Sequence, residues 1–204
     1  MRVSPIGYYA ETIEQCLELA KISAEVTHNG EEGIRGAQAV AAAIFLYRNG
    51  KTKEEVKEHL KKLFPMYDLD RTTAEIRPNY KFEVDCDKVV PESIICFLEG
   101  NDYEETVKLA ISLGGDSDTM GAISGGIAAA RMEVSEEYAK AALGLLTPEL
   151  KGVCDEFYRK YKDRMGFEDA AYMADTQNEP HDAIQEPLIP KLARTKVTIG
   201  EENN

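Results

Sequence analysis

Apolar residues recur at helical spacing along most of this chain, and this periodicity restricts the fold more than any other feature. In a segment near residues 11–27, Ile13, Leu17 and Ala20 lie on one face of a predicted helix. The same period continues to about residue 163, with a break between residues 65 and 88. The further helices that we predict end at Asn49-Gly50, open at Thr52, run from Pro91 to Gly100, open at Asp102, and cover residues 117–132, 135–146 and 148–163. The sequence therefore predicts an all-α, multi-helix bundle.

Local signals locate several helix ends. Thr52 with Glu55 has the spacing of a capping box, and the same pattern recurs at Asp102. Pro91 is typical of the first turn of a helix, because its missing N–H costs nothing there. Inside the irregular connection, residues 80–84 alternate in polarity and predict a short strand.

The last part of the chain has a different composition. Beyond about Asp175 it is rich in Asn, Gln, Pro and Glu, and its apolar residues follow no helical period. We therefore predict one helical domain over residues 1–170 and a flexible tail over residues 175–204.

Charge and cysteine usage exclude several classes of protein. The formal net charge of −13 and the absence of a dense Lys/Arg patch argue against nucleic-acid binding. The four cysteines form no C-x-x-C pair, which argues against a structural zinc site and a disulfide framework. The first residues do not have the pattern of a signal peptide, and no apolar run is long enough to cross a membrane. We expect a soluble, cytoplasmic protein with no membrane partner.

One short segment concentrates residues that can do chemistry. Residues 114–121 read GGDSDTMG and place Asp116, Asp118 and Thr119 between a glycine turn and a helix start. Hard cations such as Mg²⁺ prefer oxygen ligands of this kind. The alternative is that Asp116 or Ser117 only caps the following helix while Asp118 interacts with its dipole, and the two interpretations are compatible.

The helix that follows this segment is almost free of large side chains. It contains Gly121, Gly125 and Gly126, and each interior glycine costs roughly 0.5–1 kcal/mol relative to alanine. Close approach of another helix or of a ligand would compensate for that cost. We therefore expect this helix to lie at the centre of the bundle.

Three parts of the sequence together resemble a known family. The run SLGGDSDTMGAISGGIA at residues 112–128 resembles the C-terminal metal motif of the ADP-ribosylglycohydrolases, the family of dinitrogenase reductase-activating glycohydrolase. Residues 1–7 resemble the end of that family's glycine-rich substrate loop, and Thr27-His28 with residues 32–37 resembles its T-H motif. The resemblance covers roughly residues 1–165 and implies the family's orthogonal helical bundle.

The resemblance also implies a function and a set of site residues. Members bind two Mg²⁺ (or Mn²⁺) ions and hydrolyse the bond between ADP-ribose and a modified side chain. By this likeness Asp116, Asp118 and Thr119 would be metal ligands, with Asp116 and Asp118 also catalytic, and His28 and Gly115 would contact the ADP-ribosylated substrate. Without the family match, a histidine at a helix end would more often interact with backbone carbonyls.

The sequence departs from the family pattern in one respect. The family's second metal-binding cluster, Thr-Asp-Asp, comes from an upstream segment, and no Thr-Asp-Asp occurs in these 204 residues. Asp85 and Asp87 form another close aspartate pair, and nothing makes that pair a substitute. We expect a truncated site that needs an N-terminal half, or a degenerate paralogue, or a site completed by self-association. Two functions stay open: a Mg²⁺-dependent ADP-ribosyl hydrolase, or a non-catalytic module that binds ADP-ribose or metal.

Overall fold

The structure is a computed structural model that describes residues 1–161. This part of the chain contains helices and no strand. The predicted tail over residues 175–204 and the end of the predicted domain lie outside the described residues. The helices are α1 (Ser4–Tyr9), α2 (Ile13–Glu25), α3 (Glu31–Arg48), α4 (Lys53–Leu63), α5 (Thr73–Ile76), α6 (Cys86–Glu99), α7 (Tyr103–Leu113), α8 (Ser117–Ala128), α9 (Glu136–Gly144) and α10 (Pro148–Tyr161). The all-α prediction is confirmed.

Helix α3 is enclosed on several sides. It packs against α1, α2, α4, α6 and α8, and its residues 39–44 are at most 1% exposed. Four of those six residues are alanines, so neighbouring helices approach closely all around the helix axis. The glycine-rich α8, which was predicted to lie at the centre, packs against α1, α3, α6 and α7. Its buried side chains include Met120, Ile123 and Ile127.

Most of the predicted helix ends are confirmed. Thr52 and Glu55 form a complete capping box at the start of α4, and α3 ends at Arg48 before Gly50, which has a φ of 88°. Asp102 accepts a hydrogen bond from the backbone N–H of Glu105. The Glu105 carboxylate, however, accepts from the backbone of Asn101 at 2.8 Å, so the reciprocal bond of a capping box is missing.

Two predictions about the segment before Gly100 are wrong. Pro91 is not in the first turn: α6 begins at Cys86, because Asp85 caps the helix by accepting from the backbone N–H of Asp87. Pro91 is instead buried inside the helix. The predicted strand over residues 80–84 is an irregular segment, since no neighbouring strand exists in the described part of the chain to pair with it.

Helix α8 is also shorter than predicted. It ends at Ala128 rather than at residue 132, although Ala130 and Met132 remain buried.

Within residues 1–161, no helix combines the length and the apolar character that a membrane-spanning segment requires.

Candidate active site

A turn of two glycines carries the chain from α7 into α8. Gly114 and Gly115 have backbone φ angles of 77° and 67°, which residues other than glycine rarely adopt. A Cβ atom on Gly115 would lie 2.9 Å from Cε1 of Tyr80 and 3.1 Å from the carbonyl oxygen of Lys81. Glycine is therefore required at position 115 both for its backbone conformation and for the close approach of the segment that follows α5.

Asp116 comes directly after this turn, at the N-cap position of α8. Its side chain makes no capping hydrogen bond, so the capping interpretation does not hold for Asp116. Instead its side chain forms a hydrogen bond with Asp118, and this bond is the main reason why the pKa of Asp118 lies below its ordinary value. Backbone N–H groups at the start of the helix act in the same direction. Two carboxyl groups therefore face each other at the first turn of α8.

Asp116 lines a cleft of about 360 Å³. The cleft is lined by Met1, Arg2, Val3, Ala24, His28, Gly33, Gly36, Ala37, Val40, Val84, Cys86, Val89, Val90, Asp116, Thr119 and Ile123. Of the residues predicted for the site, the structure brings His28, Asp116 and Thr119 to this one cleft. Asp118 is exposed beside it, and Gly115 forms part of the turn that leads into it.

His28 lies in the connection between α2 and α3. Its Nδ1 atom is 2.7 Å from Oγ1 of Thr27, and the ring therefore contacts a hydroxyl group rather than the backbone carbonyls of a helix end. The guanidinium group of Arg2 donates to the same Thr27 oxygen and, at 3.0 Å, to the carbonyl oxygen of Ser23. Gly33 in the first turn of α3 has no side chain, which leaves room for His28.

Two residues near the acidic turn, Cys86 and Tyr80, were not predicted from the sequence to belong to the site. Cys86 lines the cleft, and burial raises the pKa of its thiol, which keeps the group in its unreactive protonated form. Burial also raises the pKa of Tyr80 to about 12, with smaller contributions from Glu92, Glu83 and Asp116. The Tyr80 hydroxyl is buried without a hydrogen-bond partner in the described residues.

The sequence indicates Arg2 only as part of a loop motif. Its contacts lie 21 and 25 residues away along the chain, so no local pattern indicates them.

Asp85 and Asp87, which the sequence did not support as a replacement for the missing cluster, have structural partners. Asp85 caps α6, and Asp87 accepts two hydrogen bonds from Arg35.

The donor set at the turn consists of oxygen atoms only. Within residues 1–161, no three or more His, Cys, Asp or Glu side chains are grouped as a metal ion would need. Two carboxylates and a hydroxyl can occupy part of the octahedral shell of Mg²⁺, which commonly keeps several waters. The donors at this turn are therefore of the chemical type that Mg²⁺ takes.

Comparisons with known proteins include a match to one family model. The model of the ADP-ribosylglycohydrolase family matches residues 1–165. An uncharacterized protein of Archaeoglobus fulgidus is 32% identical over 145 residues, which covers 64% of this chain and 48% of the relative. The ADP-ribosylhydrolases ARH3 of Bos taurus and Homo sapiens are each 25% identical over 174 residues, with the same two coverages of 64% and 48%. The chain thus spans about half the length of the curated relatives it matches.

Proposed function

The chain belongs to the ADP-ribosylglycohydrolase family, and from that premise we propose that its cleft binds an ADP-ribosyl group and takes part in Mg²⁺-dependent hydrolysis of ADP-ribosyl linkages. The observation that carries this proposal is the convergence of His28 with Asp116 and Thr119 on one cleft of about 360 Å³. His28 is 88 positions from Asp116 and 91 from Thr119, and these residues belong to two of the motifs that carry the family resemblance.

In this proposal Asp116, Asp118 and Thr119 hold the metal. Their oxygens suit a hard cation, and the Asp116 side chain is not engaged in capping α8. The carboxyl groups of Asp116 and Asp118 lie beside each other, and a bound cation would offset the repulsion between two negative charges at this turn. Held by these residues, Mg²⁺ would supply orientation of ribose hydroxyls and a water molecule and stabilisation of charge at the scissile carbon.

The remaining walls of the cleft bind and orient the ligand. Its lining is mostly apolar and includes Val40, Val89, Val90 and Ile123, and such a lining excludes water from the bound group. His28 supplies a polar contact at the rim. A bound cation would also reverse the local sign of charge, which a diphosphate ligand requires in a chain with a net charge of −13.

The proposal assigns only part of the metal centre to residues 1–161. Three oxygen donors from one turn leave at least half of an octahedral coordination shell to water, so we expect weak binding by this chain alone. We propose that the remaining ligands come from a Thr-Asp-Asp segment of the family type, on the same or on another polypeptide.

The first test measures metal binding by the full chain. Isothermal calorimetry with Mn²⁺, and the electron paramagnetic resonance spectrum of the bound ion, should detect a weak site. Asp116→Asn and Asp118→Asn are each expected to lower the affinity at least about tenfold. Asp102→Asn is the matched control, because it makes the same change at the start of α7, where asparagine also caps. Equal binding by all four proteins would contradict the metal assignment.

The second test measures hydrolysis. The full chain is mixed with a separately expressed N-terminal half of an ADP-ribosylglycohydrolase, and release of ADP-ribose from modified peptides is followed at increasing Mg²⁺. We expect activity that Asp116→Asn abolishes and Asp102→Asn retains. ADP-ribose binding without turnover, in a mixture shown to associate, would instead support the non-catalytic binding module.

A further inference from the structure

Arg2, Thr27 and His28 form a chain of hydrogen bonds at the rim of the cleft. The Arg2 guanidinium donates to Oγ1 of Thr27, and that oxygen lies 2.7 Å from Nδ1 of His28. Because a guanidinium group has donors and no acceptor, the direction of the first bond is fixed. Thr27 therefore accepts from Arg2, and its own hydroxyl hydrogen is available for His28.

We propose that Arg2 is a positioning residue, which acts through Thr27 to make the neutral His28 ring present its Nε2–H as a hydrogen-bond donor to a ligand in the cleft. A hydroxyl that already accepts a bond from a cation is polarised and becomes a better donor. Thr27 then donates to Nδ1, which has to be unprotonated, and the ring proton lies on Nε2. His28 thus acts as a donor of fixed orientation and not as a general base through Nδ1.

The position of Arg2 is itself fixed by a second contact. Its guanidinium also donates to the carbonyl oxygen of Ser23 at 3.0 Å, in the last turn of α2. That carbonyl is one of the unpaired acceptors at a helix C-terminus, where a positive charge is stabilised. A role limited to this helix end would affect stability but would leave the His28 ring unchanged, which separates the two roles by experiment.

The chemistry of the ligand follows from the donor. A neutral Nε2–H suits an uncharged or anionic oxygen, such as a ribose hydroxyl or a phosphate oxygen. The identification of this ligand as an ADP-ribosyl group rests on the proposed function. The hydrogen bonds among Arg2, Thr27 and His28 are independent of that function.

The experiment observes the histidine ring nitrogens in the full, ¹⁵N-labelled chain without ligand. Spectra are recorded at about pH 9, where free histidine is neutral, and His28→Gln assigns the His28 signals. His59 is an internal reference, because its Nδ1 lies 2.7 Å from the backbone carbonyl oxygen of Glu55 and must donate to it. We expect opposite tautomers: an Nε2–H on His28 and an Nδ1–H on His59.

The variants then test the chain one link at a time. Thr27→Val should move the Nδ1 resonance of His28 to the position of a nitrogen without a hydrogen bond. Arg2→Met should move this resonance in the same direction. Arg2→Lys, which keeps a cationic donor, should move it less than Arg2→Met does. The His59 signals should stay unchanged in all variants. An Nδ1–H on His28 in the unaltered protein, or His28 signals that ignore Arg2→Met, would overturn the proposal.

Ligand binding is measured separately by calorimetry with ADP-ribose. We expect Arg2→Met to weaken binding about three- to tenfold, the effect of one lost hydrogen bond. Unchanged affinity in Arg2→Met would count against the positioning role. If the ring signals respond as expected while ADP-ribose does not bind at all, the hydrogen-bond chain stands and the proposed function fails.

Discussion

At the scale of single residues, Gly33 shows how closely α3 approaches the candidate site. A Cβ atom at this position would lie 2.8 Å from Cβ of His28 and 2.9 Å from its carbonyl oxygen. We expect Gly33→Ala to displace His28, to weaken ADP-ribose binding and to lower the free energy of unfolding by about 1 kcal/mol. Calorimetry and urea denaturation measure the two effects.

The matched control for Gly33 lies in α10. Gly152 is also helical, but a Cβ atom there would meet nothing within 4 Å. Gly152→Ala should therefore stabilise the protein by about 0.5–1 kcal/mol through the lower backbone entropy of the unfolded chain. A gain of the same size at Gly33 would show that His28 is not held as the structure has it.

Asp87 provides a pH-dependent prediction at the same scale. The hydrogen bond from Arg35, at 2.9 Å from Nε to Oδ1, is the largest cause of the lowered pKa of Asp87. A carboxyl whose folded pKa lies below its unfolded value of about 3.9 stabilises the fold above that pH. This stabilisation is lost as the pH falls below about 4 and through the folded pKa.

The test of Asp87 compares unfolding free energies from pH 7 to pH 3. Asp87→Asn should be less stable than the unaltered protein by up to about 1 kcal/mol at pH 6, since the pair is partly exposed to solvent. The difference should shrink below pH 4. If the difference in unfolding free energy between the two proteins is constant from pH 7 to pH 3, the charge of Asp87 does not contribute to that difference.

Residue types and spacing were enough to select several site residues, but not to assign their contacts. His28, Asp116 and Thr119 were selected from local motifs, and they do line one cleft. Their roles toward metal and substrate stay predictions. Arg2 could not be selected, because its partners lie on α2 and in the turn after it, and such long-range contacts depend on how the helices pack.

At the scale of helices, the glycines of α8 are not equivalent. The low bulk of this helix was attributed to close approach, and a Cβ atom on Gly125 would indeed lie 3.2 Å from Cγ2 of Val107. A Cβ atom on Gly121 would have Val107 at 4.0 Å as its nearest neighbour, so close helix packing does not explain that glycine.

This difference predicts that the same substitution has different effects at two positions of one helix. Gly121→Ala should raise the free energy of unfolding by about 0.5–1 kcal/mol, because alanine is the better helix former and meets no obstacle. Gly125→Ala should give no such gain, since Val107 has to move. Urea denaturation of both variants measures the effects, and an equal gain in each would mean that α7 and α8 are less closely packed than the structure indicates.

The helices themselves were predictable where the signal is local. The capping box at Thr52 and the stop at Gly50 depend on a few neighbouring residues, and both are confirmed. The start of α6 was missed because Pro91 is a strong helix-start signal, while the true N-cap, Asp85, was considered only as a metal ligand. The residues 80–84 have strand-like alternation, but a strand also needs a partner.

At the scale of the whole molecule, the helices differ strongly in how much of their surface is covered. Residues 39–44 of α3 are at most 1% exposed, whereas no side chain of α9 is buried. Local stability depends on the buried contacts of each element. We therefore expect the backbone amides of α3 to exchange hydrogen only when the whole protein unfolds, and those of α9 to exchange through local opening.

Hydrogen exchange followed by mass spectrometry, at several urea concentrations below the unfolding transition, tests this order. Exchange in α3 should accelerate with urea, because global unfolding exposes much surface, and exchange in α9 should be fast and almost independent of urea. Protection of α9 equal to that of α3 would contradict the prediction and would mean that α9 is covered in solution. Leu145, Leu150 and Val153, which are 53–73% exposed, would then be the candidate contact between copies. Protection that falls on dilution would identify that self-association, because only an intermolecular contact depends on protein concentration.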